Sequence, residues 1–385
     1  MSAPIYLDYN ATTPVADDVL DAMLPFFRDH FGNPSSEHAF GWAADEAVKQ
    51  ARERTARLIG ATPRTLVFTS GATESVSLAI RGAGGIYGGR RHRIVTVQTE
   101  HKAVLETCAA MEREGYEVTY LPVDADGLVD LDRLRDALDE QTLMVSVMWA
   151  NNETGVIQPL AEVAAAAREV GALVMTDATQ AVGKVPVAVE DVPVDLLALS
   201  GHKLYGPKGV GALYVRQRGP RVRLQPQVTG GEQETGHRAG TTNVPGVVGL
   251  GAAAALARRV QAADAERVGA LRDRFEAAVC EAVPGTHVNG AGAPRLPNTS
   301  SLRFEGVRTS HLLPVLRDVA ASTGAACQAQ TGQPSHVLTA MGLTPDQSFS
   351  TVRFSLGRPT TEAEVDAAVG AVAEAVHAVR RRAAA

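Results

Sequence analysis

The chain contains little cysteine, little lysine and no long apolar run, and each scarcity excludes a class of protein. Its 385 residues include three cysteines, and none of them belongs to a Cys-x-x-Cys pair. A disulfide framework and a zinc or iron–sulfur site are therefore not expected. No apolar stretch is long enough to cross a bilayer, and the N-terminus lacks the basic and apolar segments of a secretion signal. We expect a cytoplasmic protein with no metal site and no membrane partner.

Clustered positive charge is also scarce. The formal net charge is −6 and the isoelectric point is about 6.0. A protein that binds nucleic acid directly needs a positively charged surface, because binding must displace the counterions of the phosphate backbone. The short basic runs at 90–93 and 380–382 are typical of solvated surface. Direct binding of nucleic acid is therefore not expected.

The five lysines, at positions 49, 102, 184, 203 and 208, are the candidates for a Schiff base, since arginine stays protonated at neutral pH. Lys203 lies in a polar loop directly after the apolar run 194–199. Its place at the exit of a buried strand indicates an imine-forming amine. Lys184 follows Gly183 in a segment typical of a surface turn, which predicts an ordinary solvated side chain.

Short apolar runs alternate with longer helical patterns up to residue 215. This alternation predicts an α/β fold with a large, mostly parallel sheet covered by helices. Ligands of such sheets bind at the carboxyl ends of the strands. Polar segments follow four of the predicted strands, so we expect a single site there. The predicted strands are 65–69, 93–97, 117–122, 143–149, 172–176, 196–199 and 211–215.

The pattern changes after the helical stretch 249–263. A second group of elements predicts a smaller α+β domain, with a charged helix at 265–282, strands near 300–304 and 351–355, and a terminal helix at 361–382. The predicted division is a large domain at 15–258 and a small domain formed by 1–14 and 259–385.

Small residues open the helix that follows the first of these strands, at Ser70-Gly71-Ala72-Thr73. The N-terminus of such a helix exposes backbone N–H groups and the positive end of the helix dipole, which suits a phosphate. By itself the pattern also fits an ordinary serine or threonine helix cap. Ser200 and His202, at another strand exit, would add a hydroxyl and an imidazole to the same phosphate.

Asp177 follows the predicted strand 172–176, where an unpaired buried carboxylate would be costly, so it needs a cationic partner. The protonated ring nitrogen of pyridoxal phosphate would serve, because an acidic partner strengthens this cofactor as an electron sink. Gln180 could then hydrogen-bond the ring hydroxyl, and His101 offers a flat ring to stack on the cofactor. A lone histidine after a strand is more often structural.

The three cysteines differ in their surroundings. Cys108 and Cys280 lie in helix-like patterns, where cysteine usually acts as a small core hydrophobe. Cys327 lies in the segment 322–334, which is small, polar and punctuated by glycine and proline, as exposed loops are. Cys327 is therefore the candidate reactive thiol.

Nine short segments form an ordered set, at 6–14, 31–36, 70–75, 99–101, 151–155, 177–180, 200–203, 238–241 and 353–358. They include Asp177-Ala178-Thr179-Gln180 and Ser200-Gly201-His202-Lys203. The set resembles the pyridoxal-phosphate-dependent cysteine desulfurases, and the resemblance covers nearly the whole chain.

The resemblance implies a fold-type-I pyridoxal-phosphate-dependent transferase that forms a homodimer with two active sites at the subunit interface. The small domain would carry the loop of the catalytic cysteine. The catalytic residues would be Cys327, Lys203 and His101. The residues that would hold the cofactor are Lys203, Ala72, Thr73, His101, Asn152, Asp177, Gln180, Ser200, His202 and, from the other subunit, Thr241. The residues that would bind the substrate are Asn33, Asn152 and Arg353.

The implied reaction converts L-cysteine to L-alanine. Lys203 and His101 would move protons, and the Cys327 thiolate would attack the substrate sulfur, leaving a persulfide for a sulfur-acceptor protein. A free thiol has a pKa of about 8.5, so Cys327 must lose its proton before it attacks. Family members supply sulfur to iron–sulfur cluster assembly, tRNA thiolation and DNA phosphorothioation.

The chain departs from the family pattern in three segments. Thr323-Gly324-Ala325-Ala326-Cys327 replaces the common Ser-Gly-Ser-Ala-Cys and lacks a hydroxyl near the thiol, and 230–234 lacks a third glycine and a histidine. The tail 380–385 lacks the apolar extension that housekeeping members use to dock an iron–sulfur scaffold. The first two departures bear on the position of the loop and on the rate, whereas the missing extension favours a dedicated acceptor pathway, such as DNA phosphorothioation.

Two alternatives remain open. The segments 324–327 and 332–335 also resemble selenocysteine lyases, in which selenium can leave without attack by a thiol. The chain could instead be a sulfur-relay partner that binds pyridoxal phosphate but turns over poorly alone. An aminotransferase is disfavoured by the loop around Cys327.

Overall fold

The computed structural model describes residues 4–324 and 332–384, in which strands and helices alternate up to Val215. In chain order the strands are β1 (Ile5–Tyr6), β2 (Leu66–Thr69), β3 (Arg93–Val97), β4 (Glu117–Leu121), β5 (Thr142–Ser146), β6 (Leu173–Asp177), β7 (Leu196–Ser200), β8 (Gly211–Val215), β9 (Thr286–Val288), β10 (Thr299–Phe304), β11 (Val319–Ala320) and β12 (Thr351–Ser355).

The helices begin before β2 and continue to the C-terminus. In chain order they are α1 (Asp17–Met23), α2 (Pro25–Arg28), α3 (Ala39–Leu58), α4 (Ala72–Tyr87), α5 (Lys102–Arg113), α6 (Leu131–Ala137), α7 (Leu160–Glu169), α8 (Val244–Ala282), α9 (Thr309–Leu312), α10 (His336–Ala340), α11 (Pro345–Ser348) and α12 (Glu362–Ala384). Among the described residues, no helix combines the length and the apolar character needed to span a bilayer.

The main sheet has seven strands in the order β2-β8-β7-β6-β5-β3-β4. The neighbouring pairs β4-β3, β3-β5, β5-β6 and β6-β7 are parallel. Strand β8 runs antiparallel to both of its neighbours, β2 and β7. Strands β5, β7 and β8 are buried along their whole length, as expected when helices cover both faces of a sheet. The predicted α/β fold with a large, mostly parallel sheet is confirmed.

The reversed strand β8 brings the end of β7 close to the start of α4. A Cβ on Gly211 would lie 2.5 Å from the Leu199 carbonyl oxygen and 2.7 Å from the Gly71 Cα. No side chain larger than hydrogen fits at this position. The loop that carries Lys203 therefore lies beside the N-terminus of α4.

A second core lies in the C-terminal part of the chain, around Phe275, Phe304 and Phe354. Strands β12, β10 and β9 form an antiparallel sheet, and β1 pairs in parallel with β11. The N-terminal segment thus joins the elements of the predicted small domain.

The sequence pattern predicted a break between two helices near residue 264, and this prediction is wrong, because α8 is continuous there. It is one helix of 39 residues, because its interior contains no proline after Pro245 that would interrupt the backbone hydrogen bonds. Ala257 belongs to the core of the main sheet and Val268 to the second core, so α8 connects the two. The division at 258 and 259 stays a prediction.

Candidate active site

A cavity of about 710 Å³ opens at the carboxyl ends of the parallel strands. Parallel strands end at the same edge of a sheet, so residues far apart in the sequence meet there. Ten of the predicted site residues line this cavity: Ala72, Thr73, His101, Asn152, Asp177, Gln180, Ser200, His202, Lys203 and Arg353.

Three predicted residues are not among those that line the cavity. Asn33 is exposed and its side-chain oxygen accepts a hydrogen bond from the Ser35 amide at 3.0 Å, away from this cavity. Thr241 is also exposed and does not line the cavity of its own chain. Cys327 lies outside the described residues.

The residues that flank this undescribed segment contact the cavity wall. Gly324 lines the cavity, and a Cβ placed on it would lie 3.1 Å from Cγ of the buried Glu153. On the other side, the Ser335 hydroxyl donates to the same Glu153 carboxylate at 2.6 Å, and the next residue, His336, lines the cavity. Gly324 and Ser335, which lie on either side of the segment that contains Cys327, are therefore both close to Glu153.

The other two cysteines differ in burial. Cys108 is fully buried in α5, and this burial raises the pKa of its thiol to about 12. Cys280, in α8, is only partly buried, and burial also raises the pKa of its thiol. A thiol with a raised pKa is a poor nucleophile, because the thiolate is the reactive form. Both cysteines are therefore suited to packing.

Lys203 lies in a single 3-10 turn directly after β7. Its ammonium donates to the backbone carbonyl of Asn10 and, at 2.7 Å, to that of Ala11. Burial and the nearby Arg353 guanidinium lower the pKa of Lys203 to about 8, against the opposing effect of nearby carboxylates. At neutral pH a useful fraction of this side chain is an unprotonated amine, which is the nucleophilic form.

Asp177 is the last residue of β6 and is 7% exposed. One carboxylate oxygen accepts a hydrogen bond from the Thr179 amide at 2.9 Å. The nearby Glu100 is completely buried. Burial, assisted by the charge of Asp177, raises the pKa of Glu100 well above its usual value. Burial thus favours the protonated form of Glu100, and the Asp177 carboxylate lines this end of the cavity.

His101 caps the N-terminus of α5. Its Nδ1 accepts a hydrogen bond from the Ala103 amide at 3.1 Å, so Nδ1 carries no proton. Burial lowers the pKa of His101, although Asp177 opposes this effect. The ring is consequently neutral with its proton on Nε2.

The first turn of α4 and the end of β7 form the opposite end of the cavity. Helix α4 begins at Ala72, where backbone N–H groups of the first turn have no partner within the helix. Ser200 and His202 lie beside it on the cavity wall. The His202 ring nitrogen Nδ1 is 3.1 Å from the Thr12 hydroxyl, and burial followed by the charge of Lys203 lowers the pKa of His202 to about 4. These neutral donors are suited to a phosphate.

Arg353 lies in β12 and is 4% exposed. Its guanidinium pairs with the Asp8 carboxylate at 2.6 Å and donates to the Asn152 carbonyl at 2.8 Å. Its Nε makes no hydrogen bond within the described residues. Asp8 is thus a site residue with no role assigned from the sequence, and the only signal for it was its place in the segment 6–14.

Asn10 is a second residue missed by the sequence reasoning. Its side chain donates to the Thr299 hydroxyl at 2.8 Å and accepts from the Asn298 amide at 2.9 Å. Its backbone carbonyl accepts from both Lys203 and Gln180. The segment around Asn10 therefore links the two cores and forms one wall of the cavity.

The cavity fits pyridoxal phosphate. It combines an amine with a lowered pKa, a carboxylate beside a neutral histidine, and a helix N-terminus with neutral donors. Within the parts of the chain that the structure describes, no group of three or more His, Cys, Asp and Glu side chains is arranged to hold a metal ion.

Comparisons with known proteins identify the family. The aminotransferase class-V family matches residues 5–368. A protein of Anaeromyxobacter sp. (strain Fw109-5) named cysteine desulfurase IscS is 52% identical over 99% of this chain and 94% of its own length. A solved NifS-like protein has a TM-score of 0.90 at 37% identity and covers 97% of this chain and 99% of its own. A structure of SspA in complex with cysteine has a TM-score of 0.81 at 38% identity, over 91% of this chain and 98% of its own.

These comparisons confirm the resemblance on which the sequence interpretation rested. They also favour the desulfurase over the two alternatives that the sequence left open. The chain belongs to the aminotransferase class-V family, and within it to the pyridoxal-phosphate-dependent cysteine desulfurases.

Proposed function

We propose that this chain removes sulfur from L-cysteine as a persulfide on Cys327 and releases L-alanine. The single observation that carries the proposal is the amine of Lys203, with a pKa lowered to about 8, in the same cavity as Asp177 and the N-terminus of α4. When bound, pyridoxal phosphate supplies the electron sink that this chemistry needs. Lys203 would hold the cofactor covalently, and Asp177 would pair with its ring nitrogen.

Lys203 and His101 move the protons. The free amine of Lys203 would take a proton from the substrate Cα, and the Asn10 and Ala11 carbonyls, which already accept from this side chain, would receive the resulting ammonium. His101 carries its proton on Nε2 and is buried, so it can donate a hydrogen bond from Nε2 while it stays neutral, and it would release that proton only after taking one up at Nδ1. We assign His101 to stacking on the cofactor ring and to proton transfer near the leaving sulfur.

The remaining residues bind the two anionic groups. Thr73, Ser200 and His202, with the backbone of Ala72, would hold the cofactor phosphate, and Gln180 would donate to the ring hydroxyl. Arg353 and the side chain of Asn152 bind the substrate carboxylate. The Arg353 guanidinium is already oriented by Asp8, which supports this role because a fixed guanidinium binds a carboxylate with less loss of entropy.

The sulfur transfer is a displacement at the substrate sulfur. The Cys327 thiolate attacks that atom, the new S–S bond forms, and the Cβ–S bond breaks with its electron pair returning to the substrate, which leaves as alanine after protonation. Gly324 and Ser335 lie on either side of Cys327 in the sequence, and their closeness to Glu153 at the cavity wall supports this role for Cys327.

A homodimer is proposed from exposed aromatic side chains. Phe27, Phe31, Phe40 and Trp42 are 61%, 67%, 53% and 63% exposed in one chain, and the rings of Phe31 and Phe40 are 5.6 Å apart. Contiguous exposed apolar surface of this kind marks an interface. In the dimer, Thr241 would reach the phosphate of the partner's cofactor, and Asn33 would lie near the substrate.

The acceptor of the persulfide is proposed to be a dedicated protein that serves iron–sulfur cluster assembly, such as one that supports DNA phosphorothioation. The net charge of −6 supports transfer through a partner rather than direct contact with DNA. We further propose a cytoplasmic location, where reducing conditions keep the Cys327 thiol free. A pull-down in which a general iron–sulfur scaffold binds tightly would contradict a dedicated acceptor.

The test is the release of alanine and sulfide from L-cysteine by the wild type, Cys327→Ala and Lys203→Ala, each with its absorbance spectrum. Cys327→Ala should keep the cofactor band near ~420 nm and make no sulfide, whereas Lys203→Ala should lose the covalent attachment. Cys280→Ala is the matched control and should behave as the wild type. If Cys327→Ala desulfurates cysteine as fast as the wild type, direct elimination, as in a selenocysteine lyase, replaces the proposed mechanism.

A further inference from the structure

Lys184 is not the solvated surface lysine that its sequence context predicted. It is only partly exposed and lines a small cavity of about 40 Å³ behind the active site, together with Lys203, Tyr205 and Asp264. The preceding Gly183 has φ of +80°, and a Cβ there would lie 2.6 Å from the Leu204 side chain. Glycine therefore permits the tight turn that directs Lys184 inward.

The Lys184 ammonium makes two hydrogen bonds to a single residue. It donates to the backbone carbonyl of Gln180 at 3.0 Å and to the side-chain oxygen Oε1 of Gln180 at 2.8 Å. Gln180 is 5% exposed and lies between Lys184 and the large cavity. The ammonium thus contacts the site through Gln180.

This contact determines the orientation of the Gln180 amide. The Lys184 Nζ donates to both oxygens of Gln180, so the amide oxygen faces Lys184 and the NH₂ group faces away from it. The Gln180 Nε2 accordingly donates to the Asn10 carbonyl at 3.0 Å. The second hydrogen of this NH₂ group is available for a hydrogen bond to a ligand bound in the cavity.

A cation at this position is costly. Burial lowers the pKa of Lys184 well below its usual value, and the positive charges of Lys203 and Arg353 lower it further. An apolar side chain would fill the same space without the desolvation cost. A hydrogen-bond donor at this position, unlike an apolar side chain, can hold the oxygen of the Gln180 amide toward it.

We propose that Lys184 is a positioning residue that locks the side-chain amide of Gln180 with its NH₂ group toward the cofactor. This inference rests on the proposed role of Gln180 as the donor to the ring hydroxyl. Lys184 itself touches neither substrate nor cofactor.

The test is a double-mutant cycle of Lys184→Met, Gln180→Ala and the combined variant. The Kd for pyridoxal phosphate is measured by titrating each apoprotein, and the absorbance maximum of the bound cofactor is recorded. Lys184→Met should weaken binding about fivefold, as loss of one hydrogen bond does, and should shift the maximum in the same direction as Gln180→Ala. The combined variant should bind no more weakly than Gln180→Ala alone, because Lys184 acts through that side chain.

Lys49→Met is the matched control, since Lys49 is exposed and pairs with Asp45 on the surface. It should leave the Kd and the spectrum unchanged. Thermal unfolding of the apoproteins checks that Lys184→Met is folded, and Lys184→Ala replaces it in the cycle if it is not.

The outcomes of this cycle distinguish the positioning role of Lys184 from the proposed role of Gln180. If Gln180→Ala weakens binding and Lys184→Met leaves the Kd and spectrum unchanged, the positioning role is wrong and the role of Gln180 stands. If the two effects add in the combined variant, Lys184 acts independently of Gln180 and the inference is wrong. If Gln180→Ala itself has no effect, the proposed role of Gln180 fails and the inference fails with it.

Discussion

At the residue scale, the surroundings of Lys203 tune its reactivity. Burial and the Arg353 guanidinium lower the pKa of Lys203 to about 8, so its reactive amine form increases as pH rises through that value. We therefore expect the rate at which the apoprotein reacts with pyridoxal phosphate to rise with pH and to level off above a midpoint near 8, measured by stopped-flow absorbance. Arg353→Gln removes the second cause of the shift and should move the midpoint upward.

The matched comparison for this experiment is Lys208→Met, which removes a different lysine of the same cavity and should keep the midpoint of the wild type. A wild-type midpoint near the ordinary lysine pKa of about 10.4 would contradict the assigned environment of Lys203.

Glu100 predicts a specific dependence of stability on pH. Its pKa is raised in the folded chain, chiefly by burial, so folding favours the protonated form. The stability that it contributes is complete below the ordinary glutamate pKa of about 4.3 and is lost as pH rises toward the folded pKa. Glu100→Gln mimics the protonated acid and should remove this loss. Denaturant unfolding of the apoproteins should therefore show that Glu100→Gln becomes more stable relative to the wild type as the pH rises from about 4 to about 7.

Glu281→Gln, an exposed substitution at the end of α8, is the control and should not change the pH profile. Equal stability differences between Glu100→Gln and the wild type at both ends of this pH range would show that Glu100 has an ordinary pKa in the folded chain.

At the scale of elements, α3 packs on α8 closely enough that an added methyl group would clash. A Cβ on Gly251 of α8 would lie 2.5 Å from the Ala51 Cα in α3, which is backbone and cannot rotate away. Gly251→Ala should therefore lower the free energy of unfolding by about 1–3 kcal/mol through overpacking, measured by urea denaturation.

The same glycine-to-alanine substitution at Gly370 is the control. Gly370 lies in α12, is exposed, and has open space where a Cβ would be placed. Gly370→Ala should raise the free energy of unfolding by about 0.5–1 kcal/mol, because alanine is the better helix former. If both substitutions stabilise the chain, α3 and α8 are not in the close contact described.

At the scale of the whole molecule, the exposed aromatic residues determine the expected assembly. Phe40→Glu would place a charge in the surface that we propose to be the dimer interface, so we expect sedimentation to show a monomer. The monomer should also bind the cofactor more weakly, since Thr241 would no longer reach the site of its partner. Ile86→Glu is the control, because Ile86 is 45% exposed on α4 and should leave the dimer intact. A Phe40→Glu variant that remains dimeric would exclude this surface.

Much of this molecule was predictable because its chemistry lies at strand exits. Lys203 and Asp177 directly follow buried strands, and parallel strands end at one edge, so local patterns placed both in one site. Helix α8 was less predictable, because its single 39-residue length depends on packing against both cores as well as on local helix signals.

By itself the sequence determined the alternation of strands and helices, the family, and the residues that begin or end elements at the cavity. The tertiary structure alone decided the pairing of Arg353 with Asp8, two residues separated by 345 positions. It also decided the burial that raises the pKa of Glu100 and the inward orientation of Lys184. The physical reason is that local patterns depend on neighbours in the chain, whereas burial and charge pairing depend on which distant segments folding brings together.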